Sequence, residues 1–243
     1  MPSIVAQVGN FDSIMYPFQR KIFYANGRFW VFYFDNGYIY YRSSNDGISW
    51  SDAIQLRSVN NPYDFSLWFD GQYLHYVCID GQNIYYRRGI PNPDGSITWS
   101  ADEQLVLTSS ESIKFPFIAV DSFGYPWIVY IIRTYGAVMA VKSSRNDGVW
   151  ETESGFPQSL DGFGHPNVAG SIIPLTNGKM LAIYTEYSGL IYARAWDGSS
   201  WLSKASTIYN IIVNPAYHSA VAQGDDAHVV FLRDSSYDII YAK

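Results

Sequence analysis

Apolar residues in this chain come in short aromatic and β-branched runs, and no stretch sustains the spacing of an amphipathic helix. Glycine-bearing turns such as Asn26-Gly27, Asn36-Gly37 and Asp46-Gly47 separate the runs, the punctuation of antiparallel hairpins. The pattern predicts four strands in the first such unit, near Gln19 to Tyr24, Phe29 to Phe34, Tyr38 to Arg42 and Ser49 to Leu56.

The unit recurs. Trp50, Trp99, Trp150 and Trp201 are spaced by 99−50 = 49, 150−99 = 51 and 201−150 = 51 residues, and each follows an Asp-Gly pair: Asp46-Gly47, Asp94-Gly95, Asp147-Gly148 and Asp197-Gly198. A second series, Pro17, Pro62, Pro116, Pro166 and Pro215, has five members, each followed by a turn glycine at Gly27, Gly71, Gly124, Gly178 or Gly224. A third ends an apolar run in a basic residue, as in Ile39-Tyr40-Tyr41-Arg42 and Ile84-Tyr85-Tyr86-Arg87, and also has five members. A four-stranded unit of about 50 residues cannot bury both of its faces alone, and radial stacking solves that problem. The expected fold is therefore an all-β, five-bladed β-propeller of four-stranded antiparallel blades, a single domain over 1–243. Its blades fall near 16–58, 61–108, 114–160, 165–208 and 214–243. The chain stops where a fifth fourth strand is due, and Ser3 to Val8 resembles the fourth strands of other units. It is expected to join the C-terminal blade and close the ring, removing an open sheet edge.

At the first of the tryptophan-bearing turns the residues Ser43-Ser44-Asn45-Asp46-Gly47-Ile48-Ser49-Trp50 resemble the Asp-box (BNR) motif, Ser-x-Asp/Asn-x-Gly-x-Ser/Thr-Trp. Later copies keep parts of it, such as Asp94 with Thr98 and Gly198 with Ser200. The resemblance implies a sialidase-like β-propeller in which Ser43, Asn45, Gly47 and Trp50 are structural. The acidic or amide side chain caps backbone N–H groups of the turn and the tryptophan packs between strands. The superfamily spans sialidases, other glycan-processing propellers, receptors and binding proteins, so the motif does not fix an activity.

Composition narrows the function. Twenty-two acidic against 16 basic side chains give a formal charge of −6 with no clustering of the basic ones, which argues against nucleic acid as a partner. The longest apolar runs are far shorter than the roughly 20 residues of a membrane helix, so no membrane span is expected. The N-terminus carries no signal-peptide pattern, and the compartment stays open. The single Cys78 reads as a small buried hydrophobe. His75, His165, His218 and His228 lack a metal-binding spacing, so neither a metal nor a cofactor is expected.

A propeller presents ligands where loops of several blades converge, and the end carrying the fourth-to-first and second-to-third strand loops is the expected face. It offers Arg20, Tyr63, Asp64, Arg133, Tyr135, His165, Glu186, Tyr217, His218 and Arg233. Polar groups interleaved with tyrosines suit a carbohydrate, whose hydroxyls take hydrogen bonds and whose C–H faces take aromatic platforms. Arg20, Arg133 and Arg233 resemble the arginine cluster by which sialidases hold a carboxylate, although the Phe/Tyr-Arg-Ile-Pro signature is absent from Phe18-Gln19-Arg20-Lys21. A sialidase-like mechanism would place Tyr217 as nucleophile, Glu186 as base and Asp64 as acid. A five-bladed inverting glycosidase would draw on Asp35, Asp64, Asp80 and Glu186, but Met15-Tyr16-Pro17 stands where those enzymes typically carry Asp-Pro. The leading reading is a non-enzymatic binding module for a glycan or a protein surface. Its rivals are a glycosidase of either type and a structural or adhesive component of a larger, viral or cell-surface, assembly.

Overall fold

The computed structural model describes residues 2–9, 12–62, 64–134, 136–161, 168–185, 190–205, 213–233 and 238–243, with the side chains of 213–217 and 233 left out. All of its regular structure is β, in five antiparallel sheets. The first holds β1 (Ile22–Ala25), β2 (Arg28–Asp35), β3 (Tyr38–Ser44) and β4 (Ile54–Ser58) in that order. The second holds β5 (Phe65–Phe69), β6 (Leu74–Asp80) and β7 (Asn83–Pro91). Its long β7 pairs with β8 (Ile97–Trp99) at one end and β9 (Gln104–Thr108) at the other. β10 (Ile113–Val120), β11 (Pro126–Ile132), β12 (Ala137–Lys142) and β13 (Gln158–Ser159) make the third sheet. The fourth is β14 (Gly170–Pro174), β15 (Met180–Thr185) and β16 (Ile191–Trp196). The fifth is β17 (Val213–Gln223), β18 (Asp226–Arg233) and β19 (Ile239–Ala242).

Alternation sends the two sets of side chains of each sheet to opposite faces, and the neighbouring sheets bury them. Trp30, Phe32 and Tyr41 of the first sheet pack with Phe65, Tyr76 and Cys78 of the second. The other face of the second sheet, with Val77, Ile79 and Tyr86, meets Ile118, Ile128 and Tyr130 of the third. Trp127 and Val129 then pack with Ile172 and Tyr184 of the fourth, whose Ile173 and Ile183 meet Val229 and Phe231 of the fifth. From the fifth sheet the chain of contacts returns to the segment leading into β1. The Phe18 ring stacks on His218 at 5.3 Å between centroids, and the Arg20 guanidinium donates to the Ala220 carbonyl at 3.5 Å.

That return contact lies at the inner end only. Farther out, Ile22 and Tyr24 of the first sheet and Val221, Ile239 and Tyr241 of the fifth remain more than half exposed. The expected strand at Ser3 to Val8 is not formed, and among the described residues the outer edge of β19 is bare. The hydrogen bonds of this segment go to the first sheet instead. The Ser3 hydroxyl donates to the Gly47 carbonyl at 2.6 Å and accepts the Trp50 indole N–H at 3.2 Å, and the Gly9 N–H donates to Asp35 at 2.8 Å. Gln104 of β9 stands in the same relation to the third unit, donating to the Gly148 carbonyl at 2.8 Å. Residue 3 thus holds the place of an outer-strand residue beside the next turn, without the ladder that would make it one.

The tryptophan-bearing turns are capped by a different side chain from the one expected. Asp46, not Asn45, accepts the N–H groups of Ile48 and Ser49 at 2.8 and 2.7 Å, while Ser44 Oγ accepts that of Gly47 at 2.9 Å. Asp94, Asp147 and Asp197 repeat the arrangement on Ser96, Val149 and Ser199. The aspartate directly before the glycine is two residues from the N–H it takes, the reach of an Asx turn, and Gly47 supplies the left-handed φ of 71° that the chain reversal needs. Ser43 is fully buried and its hydroxyl accepts the Arg28 Nε–H, whereas Trp50 is only half-buried.

Deletion of residues 1–8 should lower stability by about 1–3 kcal/mol through loss of the Ser3 bonds. Faster amide exchange is expected at Ile48 to Ile54. Exchange changes confined to β17–β19 would instead mean that the segment serves the fifth sheet.

Candidate functional site

The first-to-second strand hairpins of the second to fifth sheets converge at one end of the molecule, and their aspartates make them rigid. Asp70 accepts the N–H groups of Gln72 and Tyr73 at 2.8 and 2.6 Å through one oxygen and faces His75 Nε2 at 3.0 Å through the other. Asp121 accepts the N–H groups of Phe123 and Tyr125, each at 3.0 Å, and the Trp127 indole N–H at 3.0 Å. Asp225 takes the Thr176 N–H at 2.9 Å and the Lys179 ammonium at 2.8 Å, tying the fourth hairpin to the fifth. Gly178 is pinned by its N–H on Ser122 Oγ at 2.8 Å, and a Cβ there would meet the Phe123 ring at 2.5 Å.

These hairpins surround a cavity of about 620 Å³, a size suited to a small organic ligand. Trp68 and Phe69 line it from the second sheet, Phe123 from the third, Thr176 and Asn177 from the fourth and Ala222 from the fifth. The Arg20 guanidinium lies 4.0 Å over the Trp68 ring, and Phe123 is 60% exposed although its backbone is fixed at both ends of its turn. A second cleft of about 330 Å³ adjoins the cavity between the second and third sheets and shares Asp70, Asp121 and Ser122. There Arg88 lies 4.0 Å over the Tyr73 ring and donates to the carbonyls of Asn146 and Asp147, which bridges the two sheets.

This cavity is at the opposite end from the expected face. At the expected end Arg20, Asp64, Arg133 and His218 of the expected set lie among Lys21, Lys114, Tyr16, Phe18 and Phe115. Lys21 is buried, with its ammonium on the Phe65 carbonyl at 2.5 Å. Burial pushes Lys21 well below the usual lysine range and raises the neighbouring Asp64 to about 6, against the downward pull of the Asn61 amide and Lys21. Burial lowers Lys114 to about 8, with Arg133 adding repulsion, and burial alone takes Arg20 down to about 10. Tyr16, Phe18 and Phe115 form an aromatic group extended by His218, with Tyr16 and Phe115 rings 5.0 Å apart and His218 also facing Ser171 Oγ at 3.0 Å. Tyr16 and Phe115 precede prolines yet hold φ of 67° and 56°, a conformation bulky residues rarely adopt.

Tyr63, Tyr135, His165 and Glu186 lie outside the described residues, as do the side chains of Tyr217 and Arg233. Of the three expected arginines, Arg20 is engaged with Trp68 and Ala220 while Arg133 is exposed beside Lys114. Asp35 receives the Gly9 N–H, and Asp80 pairs with Arg57 at 2.9 Å, so both are occupied by the scaffold. Cys78 is buried, which raises its thiol to about 12. Among the described residues no group of three or more His, Cys, Asp or Glu side chains is placed to hold a metal ion. Sequence reasoning read Gly71, Gly124 and Gly178 as turn glycines only. Their spacing from Trp68 and Phe69 was visible, but not that four hairpins share one cavity.

No known protein family matches the chain by sequence, and no curated protein does either. Solved structures share its fold. A fungal lectin described as a six-bladed β-propeller with a novel fucose recognition mode, that of Aleuria aurantia, superposes with a TM-score of 0.61 at 13% identity. The match covers 99% of this chain and 78% of the lectin. The α-L-arabinanase of Penicillium chrysogenum gives 0.57 at 14% identity, over 99% of this chain and 82% of the enzyme. The Trypanosoma rangeli sialidase gives 0.53 at 10% identity, over 89% of this chain and 42% of the enzyme. What these likenesses show is the fold, a β-propeller like that of the lectin.

The turn carboxylates set the pH response. Backbone and side-chain donors hold Asp46, Asp94, Asp197 and Asp225 below the ordinary range, and Arg145 with the Val149 N–H takes Asp147 to about 2. A depressed carboxylate stabilises the fold above its unfolded value of about 4, and that contribution is lost as pH falls through the folded value. Asp64 has the opposite sign: its contribution is full below about 4 and is lost as pH rises through about 6. The melting temperature should therefore fall steeply from pH 4 to pH 2, and Asp64→Asn should gain on the parent as pH rises from 5 to 8. A melting temperature flat down to pH 2 would contradict the turn assignment.

Proposed function

We propose that the chain is a five-bladed propeller that binds carbohydrate without transforming it, and that the ligand sits in the cavity ringed by the hairpins of the second to fifth sheets. The observation that carries this reading is the state of the two carboxylates within that cavity. Every oxygen of Asp70 and Asp121 already takes a donor from its own hairpin, so neither is free to move a proton or attack a substrate. What remains for a ligand is an aromatic and hydroxyl-bearing wall: Trp68, Phe69 and Phe123 for the C–H faces of a sugar, Asn177 and Thr176 for its hydroxyls. The lectin and the glycan-active enzymes among the structural neighbours make a carbohydrate the natural ligand class. In this reading the tryptophan-bearing turns are Asp-box folding devices at the same end, outside the cavity.

One observation favours glycoside hydrolysis as the second reading. Asp64, buried and raised to about 6, has the property of a general acid, with Lys21 beside it.

A glycan array followed by incubation of each bound glycan with the protein tests both readings. Binding without new reducing ends or unsaturated products is expected. Phe123→Ala should weaken binding at least tenfold while moving the melting temperature by no more than a few degrees, since its ring is mostly exposed. Cleavage that disappears in Asp64→Asn would establish the hydrolase instead.

A further inference from the structure

Charge at the cavity narrows the ligand beyond carbohydrate in general, an inference that rests on the carbohydrate-binding reading above. The carboxylates of Asp70 and Asp121 are bonded to neutral groups only: backbone N–H groups, the Trp127 indole and His75. Burial keeps His75 below the usual histidine range, in spite of Asp70, so at neutral pH it adds no compensating charge. Among the described residues no lysine or arginine lines the cavity. The cations around it have other work: the Arg20 guanidinium lies over the Trp68 ring and donates to the Ala220 carbonyl. Lys179 is paired with Asp225, and Arg88, in the adjoining cleft, is turned onto the carbonyls of Asn146 and Asp147.

We infer that this cavity selects uncharged sugars and discriminates against those bearing a carboxylate or a sulfate. A ligand anion would enter beside the carboxylates of Asp70 and Asp121 with no guanidinium or ammonium in the lining to receive it, so that like charges repel. An uncharged pyranose meets no such barrier. Its hydroxyls meet the Thr176 hydroxyl and the Asn177 carboxamide, which both donate and accept, and the exposed Phe123 ring covers a C–H face. The same carboxylates that make the hairpins rigid therefore also set ligand charge.

The test is calorimetric titration of the intact chain with an oligosaccharide found on the array and with the same oligosaccharide carrying one uronic carboxylate or one sulfate. The uncharged form should bind at least tenfold more tightly in low salt, with the gap closing several-fold at 0.5 M sodium chloride because the penalty is Coulombic. Asp70→Asn keeps the acceptor for Gln72 and Tyr73 and can donate to His75 Nε2. It should narrow the gap at least threefold at an unchanged melting temperature. If that variant fails to fold, the salt series on the parent chain decides alone. Equal affinities, a preference for the acidic forms, or a gap indifferent to salt would overturn the inference while leaving carbohydrate binding intact. Absence of binding to any glycan would instead overturn the carbohydrate reading itself.

Discussion

An aspartate two residues before a backbone N–H, accepting it, is the interaction on which this structure leans most. It occurs at Asp46, Asp94, Asp147 and Asp197 in the tryptophan-bearing turns and at Asp70 and Asp121 in the inner hairpins. Each such turn fixes the register of the strands it joins, because a tight hairpin leaves no freedom for a slip and a slip by one residue would send the apolar side chains of a sheet to the wrong face. With register fixed, faces such as Phe65–Leu67–Tyr76–Cys78 meet their neighbours, and five sheets that are individually unstable share continuous cores. Asp121 shows the coupling most directly: one carboxylate caps a hairpin and holds the indole of Trp127, which packs edge-on against Trp196 and Trp201 of the fourth unit.

The same hairpins make the candidate site. Because four of them meet around the axis, the residues at their tips become the rim of a cavity, and their rigidity is inherited by Phe123 and Asn177. A preformed rim costs little ordering entropy when a ligand binds, which is how a shallow, open site gains affinity. Catalysis asks for something the hairpin carboxylates do not have, a free proton-transfer partner. The buried Asp64 and Lys21 pair is the place where titration chemistry survives, at the other end of the axis.

Much of the fold was legible in the sequence because its signals are local. Short alternating runs and Gly turns place the strands of the first unit to within a few residues, and the proline, glycine and basic series count five units that the structure shows as five sheets. What failed depends on contacts between distant parts. Ser3 to Val8 has strand composition, but the Ser3 hydroxyl is bonded to Gly47 and Trp50 and the following Gly9 N–H to Asp35, a competition that no run of residues displays. Asn45 and Asp46 are adjacent turn formers, and only the backbone geometry tells which one reaches the N–H groups. The end of the axis that carries the cavity is set by how four inner strands lean together. The turns at Gly71 and Gly178 therefore read as scaffold, while loop residues at the far end read as site.

The most direct test of the central claim, that ligand is held by the hairpin end, is a two-dimensional NMR titration with a glycan that the chain binds. The account predicts shifts at the amides of Gly71, Phe123, Gly178 and Gly224 and at the Trp68 and Trp127 indole N–H groups, with Lys114 and Arg133 unmoved. Shifts centred on Lys114, Arg133 and His218, with the four hairpins silent, would place the site at the opposite end and contradict it.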